Sequence, residues 1–240
     1  MAKAPTPHVI KSNYLVEASY KLSLTEQRLI LYAVAFARET QTGLTPDKPL
    51  RIEARDFADK FPDIDKQSVY GALAEAVDRL FDREVRFNHI DSATGQPAFT
   101  RSRWISQASY IDGAGALSLI FAPAVIPYLV RLEKRFTSYR LEEISRLTSS
   151  HAIRLYELLM QFKSTGWREF TVGEFRELMG IERHEYRLTN NLRVRVLNVA
   201  VNQINELTGY EVRVEDLRKG RKVVGFRFFL GERAQQTLDL

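Results

Sequence analysis

The feature that most limits the fold of this chain is a plan that occurs twice. A long amphipathic helix, a short strand, a short helix, a longer helix and a β-hairpin follow one another in the first half, and again in the second. Individual residues repeat with the plan at a nearly constant offset. Leu31-Tyr32 matches Leu155-Tyr156, Phe57 matches Phe175, and Ala76-Val77 with Leu80 matches Ala200-Val201 with Ile204. Glu84-Val85-Arg86-Phe87 likewise matches Glu211-Val212-Arg213-Val214. A helix-turn-helix followed by a β-hairpin is a winged helix, whose second helix enters the DNA major groove. The expected fold is therefore α+β, two tandem winged-helix domains related by internal duplication. Two copies in one chain suit two grooves about one turn, ~34 Å, apart.

Within the 240 residues, positions 1–12 carry Pro5 and Pro7 and read as a flexible tail. The first domain spans 13–141 and the second 142–240. In the first, Ser23 with Glu26 three residues on forms a capping box that opens a helix to about residue 39. A strand over 50–52 and helices over 54–60 and 67–81 follow, the last burying Val69, Leu73, Val77 and Leu80. Strands are expected over 84–90, 99–110 and 117–121, then a connecting helix over 123–139 with Leu129, Leu132 and Phe136 inward. The second domain opens at a Ser149 or Ser150 cap, with helices over 151–163 and 172–179, the latter ended by Gly180.

The stretch 187–222 carries most of the functional information. Thr189 or Asn190 is a suitable N-cap. At 100° per residue Val194, Leu197, Ala200, Val201 and Ile204 share one face, and Asn191, Arg195, Asn198 and Asn202 the other. Gly209 stops the helix, and strands over 210–217 and 223–230 flank a basic turn over 218–222. A helix face chosen for solubility alone would carry Glu and Lys rather than Asn, which has lower helix propensity. Asn and Arg are the side chains that pair bidentately with adenine and guanine edges. Arg187, Asn190, Asn191, Arg193, Arg195, Asn198 and Asn202 are accordingly candidate DNA contacts. Lys219, Arg221 and Lys222 at the hairpin tip suit phosphates. In the first copy the outward face of helix 67–81 carries Ser68, Gly71, Glu75, Asp78 and, just beyond, Asp82, and carboxylates repel phosphate. That copy is expected to bind DNA more weakly or to make protein contacts. Arg101 and Arg103 either touch the DNA backbone or are solvated strand edges.

The formal net charge of +5 agrees with a polyanionic partner. No Cys is present, which excludes disulfides and thiolate metal sites and fits a cytoplasmic location. No apolar run reaches the ~18 residues of a membrane span. A nicking enzyme needs paired histidines for a metal and a tyrosine nucleophile. His8, His89, His151 and His184 are isolated, and no Gly-x4-Gly-Lys-Ser/Thr loop occurs. Paired carboxylates at Glu142-Glu143 and at Asp63 and Asp65 lie in charged helix-end or loop contexts. The expected protein is no enzyme and takes neither metal nor cofactor. A plain winged-helix repressor fits the same physical pattern.

Lys11-Ser12-Asn13, Glu17-Ala18-Ser19-Tyr20 and Leu22-Ser23-Leu24-Thr25-Glu26-Gln27-Arg28-Leu29-Ile30 resemble the N-terminal signature of the replication initiator (Rep) proteins of iteron-controlled plasmids. Ala152-Ile153-Arg154-Leu155-Tyr156-Glu157-Leu158-Leu159 resembles the opening of that family's second domain. Arg195-Val196-Leu197 with Ala200-Val201 and Ile204-Asn205 resembles its recognition helix, and Gly220-Arg221-Lys222-Val223 its wing. The resemblance covers roughly residues 9–230. It implies double-stranded DNA with direct repeats as the partner of a monomer, melting of a nearby AT-rich segment, and help in loading the host replicative helicase together with host initiator proteins. It also implies a homodimer, joined through the N-terminal domain, that represses its own gene. His184-Glu185-Tyr186-Arg187-Leu188 departs from the family's aromatic-Pro turn, which leaves the helix start open by a few residues.

Overall fold

The structure, a computed structural model, describes residues 7–111, 113–130 and 136–233. Strand β1 (His8–Ser12) leads through the single turn α1 (Asn13–Val16) to the long helix α2 (Leu24–Thr40). Local chemistry fixes the start of α2. The Ser23 hydroxyl accepts from the Glu26 amide at 3.3 Å, and the Glu26 carboxylate accepts from the Ser23 amide at 2.9 Å. This closed capping box satisfies two otherwise orphaned donors. β2 (Leu50–Glu53), α3 (Ala54–Lys60) and α4 (Val69–Asp82) follow. α4 buries the stripe its periodicity predicts: Val69, Leu73, Val77 and Leu80. β3 (Glu84–Ile90) and β4 (Pro97–Arg103) form one hairpin, and β5 (Ile105–Ile111) and β6 (Ala116–Phe121) the next. The turn α5 (Pro127–Val130) and strand β7 (Phe136–Arg140) close the unit.

The turn α6 (Leu141–Ile144) leads to α7 (Ser150–Met160), capped by Ser149, whose hydroxyl accepts from the Ala152 amide at 3.4 Å. Next come β8 (Trp167–Thr171), α8 (Val172–Leu178) and α9 (Thr189–Leu192). A π-turn, Arg193–Leu197, joins α9 to α10 (Asn198–Leu207), with helical backbone at both joints, so the three run on as one helix. β9 (Tyr210–Lys219) and β10 (Lys222–Glu232) form the final hairpin.

The two units share one plan. In each, the strand after the first long helix pairs with the last strand of the hairpin, giving orders β2-β6-β5 and β8-β10-β9. The residues that repeat between the halves are core residues: Leu31, Tyr32, Phe57, Val77, Leu80, Leu155, Tyr156, Phe175, Val201 and Ile204 are all buried. One match is corrected. Glu84–Phe87 lies in β3, whereas the strand order makes β5 the counterpart of β9. Among the described residues, β3 and β4 are thus a hairpin present only in the first copy. The buried Trp104 stands between β4 and β5, where the ladder breaks.

Two further expectations are corrected. Residues 8–12 are no tail: β1 pairs antiparallel with β7, from His8–Arg140 to Ser12–Phe136. Pro5 and Pro7 precede the paired residues, and Val9 and Lys11 bury their side chains. Residues 1–6 lie outside the described ones. Of the expected helix over 123–139, the described residues show helix at Pro127–Val130 and a strand at Phe136–Arg140, and 131–135 lie outside them. In β7 burial alternates with period two, Thr137 and Tyr139 in and Phe136, Ser138 and Arg140 out. Phe136 is therefore exposed, and Leu132 falls outside the described residues. No helix among the described residues is long and apolar enough to cross a membrane.

Candidate nucleic-acid interface

The helix built from α9, the π-turn and α10 sorts its polar side chains into two groups. Asn205 and Gln203 serve the fold. Asn205 donates to the Val212 carbonyl at 3.0 Å and accepts from the Val212 amide at 2.6 Å, locking the helix to β9. Gln203 accepts from the amides of Thr148 and Ser149 at 3.0 and 3.1 Å, ahead of α7. Asn190, Asn191, Asn198 and Asn202 have no side-chain hydrogen bond among the described residues, and all but the half-buried Asn198 are exposed. Arg195 is exposed as well.

The π-turn changes which face is which. Leu192, Val196, Leu197, Ala200, Val201 and Ile204 are buried, while Val194, expected inward, is 52% exposed. A π-turn takes in one residue more per turn than an α-turn, so residues before it rotate relative to those after it. The core is met by Leu192 and Val196, and Val194 joins Asn191 and Arg195 on the solvent side. Val199 is exposed on the same side as Asn202. Neither valine is expected at an interface from sequence, because a uniform 100° step puts Val194 on the core face and gives Val199 no role.

The helix begins at Thr189 with Leu188 as N-cap and no capping side chain. Its start is set from outside by Arg176 on α8. That guanidinium donates to the carbonyls of Glu182 and Glu185 at 2.6 Å and of Tyr186 at 3.1 Å. Tyr186 takes a left-handed conformation, φ 39°, which turns the chain into the helix. The arginine staple occupies the place of the aromatic-Pro turn that the family resemblance led one to expect.

Arg193 and Arg195 have different fates. Arg193 forms an ion pair with Asp216 of β9, and Arg218 reaches the same carboxylate at 2.8 Å. Arg193 therefore ties the helix to the wing. Among the described residues, Arg183, Arg187, Arg195, Lys219, Arg221 and Lys222 have no carboxylate in salt-bridge range, and all six are exposed. Arg183 was missed in the sequence, where it sits in a mixed-charge turn beside Glu182 and Glu185. The wing tip is tighter than expected: Lys219 pairs with Lys222, leaving Gly220-Arg221 as the turn, with Gly220 at φ 60°.

In the first copy four arginines around α4 and the first hairpin are paired with carboxylates. Arg101 pairs with Glu84, and Arg103 donates to Asp82 at 2.8 Å. Arg79 and Arg83 both reach the buried Glu26 at 3.1 Å. Glu75, Asp78 and Asp82 are exposed along α4. The two copies thus present opposite electrostatic faces on homologous helices.

The chain matches the family described as initiator replication protein, WH1, over residues 8–160, and the one described as initiator Rep protein, WH2, over residues 171–230. It belongs to the initiator replication protein family. A replication initiation protein of Escherichia coli is 26% identical over 207 residues, covering 83% of this chain and 63% of its own length. An uncharacterized 27.6 kDa protein of Escherichia coli is 26% identical over 208 residues, covering 83% and 85%. Among solved structures, the Pi initiator protein in complex with iteron DNA superposes with a TM-score of 0.76 at 21% identity, covering 95% of this chain and 98% of that one. Domains 2 and 3 of RctB give 0.52 at 14% identity, covering 97% and 89%. These likenesses are of fold, and they agree with two winged helices in tandem. The WH1 match runs on through α7, which by its packing against α10 opens the second winged helix.

Proposed function

We propose that this family member initiates replication of an iteron-controlled plasmid by reading directly repeated origin sequences with its second winged helix. The observation that carries the reading is an outward helix face of Asn190, Asn191, Arg195 and Asn202 without side-chain hydrogen bonds or salt bridges among the described residues, flanked by wing cations with no carboxylate in range among those residues. Arg195 and the asparagines pair with guanine and adenine edges, and Val194 and Val199 meet thymine methyls. Arg183, Arg187, Lys219, Arg221 and Lys222 meet phosphates, and Asn198 sits at the edge of the reading face. Arg193 supports the contact through the wing rather than by reaching DNA itself. The Pi initiator, which shares the fold, was solved with iteron DNA, and that supports the class of ligand.

The first winged helix contacts the adjoining groove more weakly, because carboxylates line α4, and Arg101 and Arg103 are already paired with Glu84 of β3 and Asp82 of α4. The bound monomer melts a neighbouring AT-rich segment and, with host initiator proteins, helps load the replicative helicase in the cytoplasm. A homodimer joined through the first domain represses the gene. Its contact lies on the β3–β4 hairpin and the adjoining α1, where Ile90 and Phe99 of the hairpin and Tyr14 of α1 are 64%, 53% and 62% exposed. No catalytic step is assigned to the chain.

Footprinting on the DNA flanking the gene tests the reading. Tandem direct repeats beside an AT-rich stretch should each be protected over about two helical turns. Protection of an inverted repeat alone would make the protein a repressor without a replication role.

A further inference from the structure

The two winged helices meet across a seam that buries charge. Lys11 of β1 is 1% exposed and forms an ion pair with Glu157 of α7, which is fully buried. Tyr139 of β7 donates to one oxygen of Glu157 at 2.7 Å, and Tyr20 to the other at 3.3 Å. Arg154, one turn back on α7, donates to the Tyr20 hydroxyl and the Ala18 carbonyl at 2.8 Å, and to the Leu178 carbonyl at 2.7 Å. Its guanidinium also lies 4.3 Å from the Tyr20 ring centre. Two strands of the first unit, the segment between α1 and α2, and two helices of the second unit thus share one polar network.

The chain around Tyr20 is held on both flanks. Lys21 reaches Glu182 and Glu185 at 3.1 Å, and Arg168 reaches Glu17 at 3.2 Å. Gly180 closes the approach: a Cβ there would fall 2.1 Å from the Tyr20 carbonyl oxygen. An apolar seam tolerates sliding, since dispersion contacts re-form in many registers. A buried network of ions and hydrogen bonds is satisfied in one arrangement only, because any shift leaves a charge without a partner in a dry site.

We propose that Lys11, Tyr20, Tyr139, Arg154 and Glu157 are positioning residues that set the distance and angle between the two DNA-contacting helices, and so fix the spacing of the two contacted halves within a repeat. All five of these side chains are buried. This rests on the reading that both winged helices contact one repeat. One inserted base pair rotates and displaces one half relative to the other, so a rigid seam forces the protein to forfeit part of one contact.

The probe is a duplex carrying one direct repeat from the DNA flanking the gene, alone or with one or two base pairs inserted at its centre. The full chain should lose about tenfold in affinity or more per insertion, as for a poorly matched half. The paired variant Lys11→Met with Glu157→Gln removes the ion pair without orphaning either charge. It should bind the uninterrupted repeat within a few-fold of the parent and lose most of the insertion penalty. Tyr20→Phe removes only the hydroxyl joining Arg154 to Glu157, keeps the ring, and should lower the penalty partway. It stands in if the paired variant does not fold. A parent penalty that survives unchanged in the variant that folds overturns the positioning role while leaving the two-helix reading intact. A parent with no insertion penalty overturns both.

Discussion

Arg193 and Arg195 are two residues apart on one helix and do different work. Asp216 takes Arg193 and leaves Arg195 open to solvent. Arg195→Ala should cost ~1–3 kcal/mol on the cognate repeat and lower the ratio of specific to scrambled affinity. Arg193→Ala should weaken binding to both DNAs alike, because it loosens the wing. Competition binding at several salt concentrations separates the two, and an unchanged ratio in Arg195→Ala would remove it from the reading set. This difference was not legible in the sequence. The asparagine and arginine stripe was, but the partner that withdraws Arg193 lies 23 residues away on another element. Arg101 and Arg103 resolve in the same way, through carboxylates at Glu84 and Asp82 that a strand pattern does not place. Glu157 carries a pH prediction. Burial pushes its pKa up, but the charges of Lys11 and Arg154 and the hydrogen bonds from Lys11 and Tyr139 outweigh that and hold it below the usual carboxylate value. Its folded pKa is thus below its unfolded one, so its contribution is present above the unfolded value of about 4.3 and is lost as pH falls through the lowered value. The Tm gap between the parent and Glu157→Gln should be widest near neutrality and shrink in acid. A gap that stays constant from pH 7 to pH 3 would contradict this assignment.

At the scale of elements, the proposed function assigns anchoring to the wing and reading to the helix. Lys219, Arg221 and Lys222 project from a two-residue turn with no carboxylate in reach among the described residues. Replacing one by Ala should weaken all DNA sequences equally and reduce the slope of log K against log salt by about one. A tip variant that changes the specific-to-scrambled ratio instead would reverse the two roles. The elements legible in advance were those whose signals are local. Ser23-Glu26 and Ser149 announced their helices, and the α4 stripe followed 3.6 periodicity. The failures were non-local or irregular. β1 is a strand because β7 lies beside it, and that partner arrives more than a hundred residues later in the chain. The π-turn moved Val194 from the core to the reading face because a fixed step of 100° has no room for an inserted residue. A single residue of extra winding thus changed which apolar side chain faces solvent.

At the scale of the whole molecule, the proposed function puts assembly on the first unit and base reading on the second. The seam forbids testing this with isolated domains: a fragment ending before α7 would leave Lys11 without Glu157, and one beginning at α7 would leave Arg154 without Tyr20. The full chain with surface substitutions is the sound material. The β3–β4 hairpin has no counterpart in the second unit, so it adds apolar surface that the winged-helix plan does not need. Arg86 stacks on Phe99 at 4.0 Å, and Tyr14 packs 6.4 Å from Tyr128, which makes the patch ordered rather than a loose tip. A face of this kind suits a second copy of the same chain, since a self-complementary apolar patch satisfies itself across a two-fold axis. Phe99→Asp places a charge in that face without touching either reading helix. In sedimentation equilibrium it should shift the protein from dimer to monomer. Binding to a direct repeat should then be retained or strengthened, because the dimer no longer competes for the DNA-competent monomer. Binding to an inverted repeat, which needs two copies joined, should fall. A Phe99→Asp protein that stays dimeric would move the interface off this hairpin, and one that becomes monomeric yet loses the direct repeat would show that the hairpin serves DNA rather than assembly.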